Sequence, residues 1–141
     1  MISSMLIAVD DSPRAPHVVH EAASLARLLG ARVHLLRVVD VPPEIPAAAR
    51  TSRDALVEVL VERATAELSR LADELHCPNV EVVADGSTAP WKLVLAAAER
   101  HDVDLIVIGS HGEAGLDHLL GTNAGRISVR AHRHVLVVHP R

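Results

Sequence analysis

The sequence predicts an α/β fold, a doubly wound sheet of five parallel strands with helices on both faces. Short β-rich apolar runs alternate along the 141 residues with longer stretches of helical periodicity. This alternation favours parallel strands joined by right-handed crossovers. Three of the runs are nearly continuously apolar, as expected for strands that are covered on both faces. A chain of this length is most simply one domain, and we assign residues 1–141 to it.

Five segments have the length and composition of strands. All are short and rich in Val, Leu or Ile, which favours extended structure. The predicted strands are "MLIAVD" (5–10), "RVHLLRVV" (32–39), "VEVVAD" (80–85), "DLIVIG" (104–109) and "HVLVVH" (134–139). The first, fourth and fifth are the nearly continuous apolar runs.

Four stretches between the strands have helical patterns. The first ends directly before Gly30, a residue type that is common just after a helix. The third begins at Pro90, which suits a first helical turn. The predicted helices cover 16–29, 53–75, 90 to about 101, and about 121 to 130. The apolar stripe of the second helix consists of Leu56, Val59, Leu60, Ala64, Leu68, Leu71 and Leu75.

The segment "VPPEIPAAARTS" (41–52) is predicted to be the one long loop of the chain. Its proline residues disfavour both a helix and a central strand. Two interpretations remain open, a lid over a ligand site or a solvated connection.

The composition argues against several function classes. The net charge is −4 and there is no basic run, which argues against nucleic-acid binding. The chain has one Trp and no Phe or Tyr, so a flavin enclosed by aromatic side chains is not expected. Lys92 is the only lysine, which rules out a phosphate loop of the G-x-x-x-x-G-K-[ST] type. Cys77 is the only cysteine, so an internal disulfide and a multi-cysteine metal site are ruled out as well.

We expect a cytoplasmic protein that does not enter a membrane. No apolar run approaches the roughly 20 residues that span a bilayer. The start of the chain, "MISSMLIAVDDS", has no basic leader and reaches two acidic residues early, unlike a signal peptide.

The loops after the first and fourth predicted strands indicate a ligand site. Open parallel sheets bind ligands beyond the carboxyl ends of the strands, where the winding direction reverses. Asp10 lies at the end of the first strand, within "VDDSPRA". The fourth strand leads into "GSHGEAGLDHLLGT" (109–122), which contains four glycines and precedes a predicted helix.

This glycine loop predicts either an anion site or a set of structural turns. Gly109 and Gly112 would let backbone amides approach a phosphate, and the Thr122 hydroxyl would add a donor. Gly121, Thr122 and Asn123 open the predicted fourth helix, whose exposed amides and dipole attract an anion. The same glycines could instead be needed only for the backbone conformation of turns, so both interpretations remain open.

The whole chain resembles the universal stress protein family, small α/β domains many of which bind ATP. The matching segments are "LIAVDDS", "LLRVVD", "DLIVIGSHG", "LLGTNAGRISVRA" and "HVLVVHP". The family's nucleotide pattern is G-x-x-G, nine residues, then G-[ST]. Gly109 and Gly112 match its first pair and Gly121 and Thr122 its last, but only eight residues separate Gly112 from Gly121. The shorter spacing should tighten the loop over the β- and γ-phosphates. With the resemblance, the expected strand order is 3-2-1-4-5.

The resemblance also implies roles for individual residues. Asp10 would meet the adenosine beside the backbone of Ala8, and the main chain of Val38 would bind the adenine edge. Gly109 and Gly112 would cradle the ribose and phosphates. The outer phosphates would be held by Gly121, Thr122 and Asn123.

Simpler interpretations of these residues stay open. Asp10 could cap a turn with Ser12, and core packing explains the Val38 side chain. His111 lies within the glycine loop, where it either hydrogen-bonds a phosphate or is exposed to solvent.

No residue is assigned to catalysis or to a metal. The G-x-S-x-G elbow of hydrolases is absent, and no carboxylate pair stands out as an acid/base couple. His132, His134 and His139 do not predict a zinc site, because strand alternation places His134 and His139 on opposite faces.

The family resemblance therefore predicts a non-enzymatic stress protein that binds ATP, with or without Mg²⁺, and responds to the nucleotide. Its protein partner is not identified.

The resemblance also implies an antiparallel homodimer through the last strand (134–139), although histidines and arginines could instead blunt that edge. Three other functions remain open. They are action by protein contacts without ATP, preference for AMP or cyclic AMP, and slow ATP hydrolysis.

Overall fold

Five strands and four helices alternate along the chain in a computed structural model that describes residues 1–41, 50–77, 79–85, 89–110 and 123–139. The strands are β1 (Ser4–Ala8), β2 (Arg32–Asp40), β3 (Asn79–Asp85), β4 (Leu105–Gly109) and β5 (His134–Val138). The helices are α1 (Ala15–Leu29), α2 (Arg50–Glu74), α3 (Pro90–Arg100) and α4 (Asn123–Arg130). None of these helices combines the length and the apolar character needed to cross a membrane.

All five strands pair in parallel, in the order β3-β2-β1-β4-β5. The predicted fold and strand order are therefore confirmed. The order places β1 at the centre, with β2 on one side and β4 on the other. Because the chain winds outward from β1 in both directions, the winding reverses between β1 and β4, and a crevice is expected there.

The alternation of side chains along the strands divides the core into two layers. Met5, Ile7 and Leu35 are buried beneath α1 and α2 on one face of the sheet. Leu6 and Leu36, one residue away, are buried beneath α3 and α4 on the other face. Burial on both faces explains why the central strands read as continuous apolar runs.

One carboxylate fixes β1 and β4 side by side at the amino end of the sheet. Asp104 Oδ2 accepts hydrogen bonds from the backbone N–H groups of Ser3 (2.8 Å) and Ser4 (3.1 Å), and from the Ser3 hydroxyl (2.9 Å). These hydrogen bonds lower the pKa of the Asp104 carboxyl. They hold the register in which Met5 lies opposite Leu105.

The prediction that 41–52 is a loop is wrong at its end, because α2 already begins at Arg50. Thr51, Ser52 and Asp54 belong to residue types that favour turns and caps over helix interiors, so the composition of the segment hides the boundary. Residues 42–49 lie outside the described residues, so neither interpretation of the loop is tested.

The predicted apolar stripe of α2 is buried over only part of its length. Leu56 and Val59 are 42% and 51% exposed, whereas Ala64 and Leu68 are buried. The cause is length. Glu67 pairs with Arg37, three residues before the end of β2. The part of α2 that precedes Glu67 rises about 25 Å, whereas three strand residues cover only about 10 Å. The first turns of α2 therefore pass beyond the sheet.

Candidate functional site at the carboxyl edge of the sheet

A cavity of about 440 Å³ opens at the carboxyl ends of β1, β2 and β4. Its lining residues come from the β1–α1 turn, the strand ends, α2, and the starts of α3 and α4. Five predicted site residues line it, namely Ala8, Asp10, Val38, Gly109 and Asn123. The structure thus brings together three segments that are far apart in the sequence. The other four predicted residues, His111, Gly112, Gly121 and Thr122, lie outside the described residues.

Asp10 is held in the turn between β1 and α1. Its Oδ1 atom accepts a hydrogen bond from the backbone N–H of Ser12, at 3.0 Å. The simpler interpretation of Asp10, a turn with Ser12, is therefore present in the structure. It does not compete with a ligand role, because a carboxylate has two oxygens and several acceptor positions. The turn fixes the direction of the carboxylate in the cavity wall.

The backbone of Val38 faces the cavity because β1 ends before β2 does. Val9 N–H donates to the Leu36 carbonyl at 2.8 Å, and the pairing of β1 with β2 goes no further in the described residues. In a parallel ladder, the N–H and C=O of one residue point to the same side, and alternate residues point to the same neighbour. The main-chain groups of Val38 therefore point, like those of Leu36, toward the side of β1.

The side chain of Val38 has the role that core packing predicts. It is half-buried and packs with the cluster beneath α3 and α4. The side chain of Val38 thus packs in the core while its backbone N–H and C=O face the cavity.

Gly109 has a packing reason to be glycine. A Cβ atom at this position would lie 2.9 Å from the Cγ2 atom of Val18, which is buried in α1. The contact brings α1 close to the end of β4, beside the cavity. It accounts for one glycine of the loop without any ligand.

The wall that α2 contributes to the cavity was missed by the sequence analysis. Arg37, Arg63 and Glu67 line this side. Arg37 Nη1 lies 3.3 Å from Glu67 Oε2, and the Arg37 side chain is only 13% exposed. A charged residue inside the apolar β2 run was the available signal, because a half-buried arginine normally requires an acidic partner.

Trp91 was also missed, although it is the only aromatic residue of the Phe, Trp and Tyr class in the chain. It follows Pro90 at the start of α3 and lines the cavity. Three cationic groups lie around its ring: Lys92 Nζ at 5.5 Å, Arg126 Cζ at 5.7 Å and Arg130 Cζ at 4.9 Å from the ring centroid. All three distances fall within the range of cation–π attraction. We call these four residues the Trp91 cation cluster.

A second polar cluster lies away from the cavity, where β2 and β3 meet the end of α3. Glu81 accepts hydrogen bonds from Arg100 and, at 2.9 Å, pairs with His101 Nε2. The hydrogen bond from Arg100 is the main cause that lowers the pKa of Glu81. His101 stacks on His34, with ring centroids 4.7 Å apart. Burial, followed by the charges of His101 and Arg32, lowers the pKa of His34.

Across the described ranges, no three or more His, Cys, Asp or Glu side chains are placed to hold a metal ion. His132 and His134 lie in or beside β5, and both are exposed.

Comparison with known proteins identifies relatives over nearly the whole chain. A profile described as "Universal stress protein family" matches residues 1–139. Universal stress protein A homolog 1 of Coxiella burnetii is 32% identical over 138 residues, which cover 95% of this chain and 94% of the relative.

Solved structures share the fold at lower identity. UspA from Lactobacillus plantarum superposes with a TM-score of 0.82 at 22% identity, covering 97% of each chain. A universal stress protein in complex with cAMP has a TM-score of 0.63 at 19% identity, covering 98% of this chain and 97% of its own. The Archaeoglobus fulgidus protein in complex with dAMP has a TM-score of 0.58 at 21% identity, covering 97% and 98%.

Proposed function

Because the chain belongs to the universal stress protein family, we propose that it is a non-catalytic regulatory protein that binds an adenine nucleotide, ATP in the first place, in the cavity at the carboxyl edge of the sheet. The observation that carries this proposal is the meeting of Asp10, Val38, Gly109 and Asn123 around one cavity. Two structural neighbours hold cAMP and dAMP. The size of the cavity lies within the range typical of small-molecule sites.

The adenine base belongs against the end of β2. The N–H and C=O of Val38 offer one donor and one acceptor on the same side of the strand. The edge of adenine presents a ring-nitrogen acceptor beside an amino donor, which matches this pair. Apolar side chains nearby, such as Val94 and Ile127, would cover the ring.

The ribose belongs near Asp10. Its hydroxyl groups are donors, and the carboxylate, already oriented by Ser12, supplies acceptors for them. A hydrogen bond to a charged acceptor contributes more than a neutral one, so this contact would serve every ligand that contains adenosine.

The phosphates belong at the start of α4. Asn123 and Ala124 open this helix and line the cavity. Helix N-termini attract anions through exposed N–H groups and the helix dipole. The proposed roles of Gly112, Gly121, Thr122 and His111 in holding phosphates stay predictions. We expect Mg²⁺ to enter with the phosphates, as it commonly does, rather than in a cage of side chains.

Preference for AMP or cyclic AMP is a second candidate. The eight-residue spacing between Gly112 and Gly121 shortens the loop that would cover the outer phosphates. The two neighbours named above hold cAMP and dAMP, each of which has a single phosphate. The third candidate function is action through protein contacts without binding a nucleotide.

Calorimetric titration with ATP, AMP and cyclic AMP, each with and without Mg²⁺, tests these candidates. Tighter binding of ATP supports the first function, and tighter binding of AMP or cyclic AMP supports the second. If none of the three binds at millimolar concentration, both are wrong and the function by protein contacts takes their place.

We also propose that two copies pair through β5. This strand lies at the edge of the sheet, and its His134 and Leu136 side chains are exposed. An unpaired strand edge presents a row of backbone donors and acceptors that a second copy satisfies. Sedimentation equilibrium of the unchanged protein and of V137P tests the pairing, because the N–H of Val137, unlike those of Leu136 and Val138, points away from β4. We expect V137P to shift the equilibrium toward the monomer, and an unchanged equilibrium would contradict pairing through this edge.

A further inference from the structure

Three cations gather at one indole beside the cavity, and none of them pairs with an acidic side chain among the described residues. The ion pairs formed within the described ranges involve Arg37, Arg100, His101 and Arg133. In the same ranges no carboxylate pairs with Lys92, Arg126 or Arg130. Like charges repel one another, so the Trp91 cation cluster is a local concentration of positive charge in a chain whose net charge is −4.

The helices increase this positive potential. Neither α3 nor α4 has an acidic residue in its first turn, where the helix dipole is positive. Instead each places a cation there, Lys92 in α3 and Arg126 in α4. Two positive helix ends and two cations therefore lie together, an arrangement that costs stability and that a bound anion would relieve.

A purely structural role accounts for only part of the cluster. Trp91 packs α3 against α4, and one cation on its ring would strengthen that contact. Arg130, the closest at 4.9 Å, fits this role, since it lies in the last turn of α4 where the dipole favours a positive charge. Packing gives no reason for Lys92 and Arg126 to lie at the unfavourable ends of their helices.

The cluster is continuous with the proposed nucleotide site. Trp91 lines the cavity, as do Asn123 and Ala124 of the same helical turn that carries Arg126. Lys92, Arg126 and Arg130 do not themselves line the cavity. Phosphates at the start of α4 would have to extend past Trp91 to reach them.

We propose that the Trp91 cation cluster binds the outer phosphates of the nucleotide, so that the site distinguishes nucleoside di- and triphosphates from monophosphates. This inference rests on the proposed function. It assigns the recognition of outer phosphates to side chains of α3 and α4 in addition to the glycine loop. The side chains of the cluster would also replace phosphate contacts that the shortened glycine loop does not provide, because guanidinium and ammonium groups bind phosphate strongly.

Charge-neutral variants of the two cations test the proposal. In K92Q/R126Q we expect the affinity for ATP to fall at least about tenfold and that for AMP to change less than about twofold, because only ATP reaches the cluster. The control is R27Q, which removes one positive charge from the last turn of α1. It should leave both affinities within about twofold of the unchanged protein. An unchanged ratio of ATP to AMP affinity in K92Q/R126Q overturns the proposal.

A second measurement separates this proposal from the proposed function. Trp91 is the only Trp and the chain has no Tyr, so the intrinsic fluorescence comes from the cluster itself. Titration with inorganic tripolyphosphate should change the emission of the unchanged protein and not that of K92Q/R126Q. If tripolyphosphate changes the emission while adenosine and its nucleotides do not bind, the nucleotide function is wrong and the anion site remains. If nucleotides bind while tripolyphosphate has no effect on emission, the cluster is not a phosphate site.

Discussion

Gly109 at the end of β4 lies so close to Val18 of α1 that a Cβ atom at position 109 would be 2.9 Å from Val18 Cγ2. Real Cβ atoms essentially never approach a neighbour this closely, and the Val18 side chain is buried and stiff at χ1. The glycine therefore sets how near α1 comes to the cavity. This packing role and a role in nucleotide binding make different predictions.

The variant G109A should be less stable than the unchanged protein by about 1–3 kcal/mol, the usual cost of overpacking a core contact. Urea denaturation measures the difference. V18A removes the methyl group in question, so adding G109A to V18A should cost much less than adding it to the unchanged protein. Equal costs in both backgrounds would mean that the steric contact with Val18 is not the reason for the glycine.

The variant D10A should weaken adenosine, AMP and ATP alike, by roughly tenfold to a hundredfold, as expected when a charged hydrogen-bond acceptor is lost. Calorimetry provides the affinities. D11A is the matched control, since Asp11 also lines the cavity and is exposed but has no assigned contact. D10N keeps an acceptor for the Ser12 N–H but removes the negative charge, so it distinguishes the effect of losing the turn from the effect of losing the charge. If D11A weakens binding as much as D10A, general charge rather than a contact with the ribose is responsible.

The variant T122A should mainly affect ligands with outer phosphates. The hydroxyl of Thr122 is predicted to donate to these groups, so ATP affinity should fall by about threefold to tenfold. AMP affinity should stay within about twofold of the original value. T122S, which keeps the hydroxyl, is the control and should bind ATP normally. Equal losses for AMP and ATP in T122A would contradict the assignment of Thr122.

Two groups of the second polar cluster, His34 and Glu81, should each make the protein less stable in acid. The pKa of His34 is lowered from 6.5, so its neutral form is favoured in the folded state and stability decreases as the pH falls below 6.5. The pKa of Glu81 is lowered from 4.5, so its contribution is present above pH 4.5 and decreases below it.

Urea denaturation between pH 7.5 and 3.5, for the unchanged protein, H34Q and E81Q, measures these two effects. H34Q should flatten the decrease below pH 6.5, and E81Q the decrease below pH 4.5, because glutamine does not titrate. A decrease of the same slope in all three proteins would place the acid sensitivity in other groups.

The fold could be predicted because its signals are local. The buried strands are apolar on both faces, and Gly30 ends α1 in the left-handed conformation, φ +65°, that favours glycine. The apolar periodicity of a helix does not show how much of that helix the sheet covers. Leu56 and Val59 continue the apolar stripe of α2 but are exposed, because the stripe extends further than the sheet that covers it.

The candidate site could be predicted only where a strand end leads directly into it. Asp10 lies two residues after β1 and Gly109 is the last residue of β4, and the topology brings both strand ends to one edge of the sheet. The contributions of Glu67 and Trp91 depend on how helices pack across the sheet. Glu67 meets Arg37 across 30 residues of sequence, a pairing that no local pattern encodes.

The measurement that tests the central claim most directly is an NMR titration of the ¹⁵N-labelled protein with AMP. Binding in the cavity predicts that amide shifts change most at Asp10, Val38, Gly109 and Asn123. The amides of His34 and His101, in the second polar cluster, should change least. Saturable changes confined to the cavity would support the account. Changes centred elsewhere, or none at millimolar AMP or ATP, would contradict it.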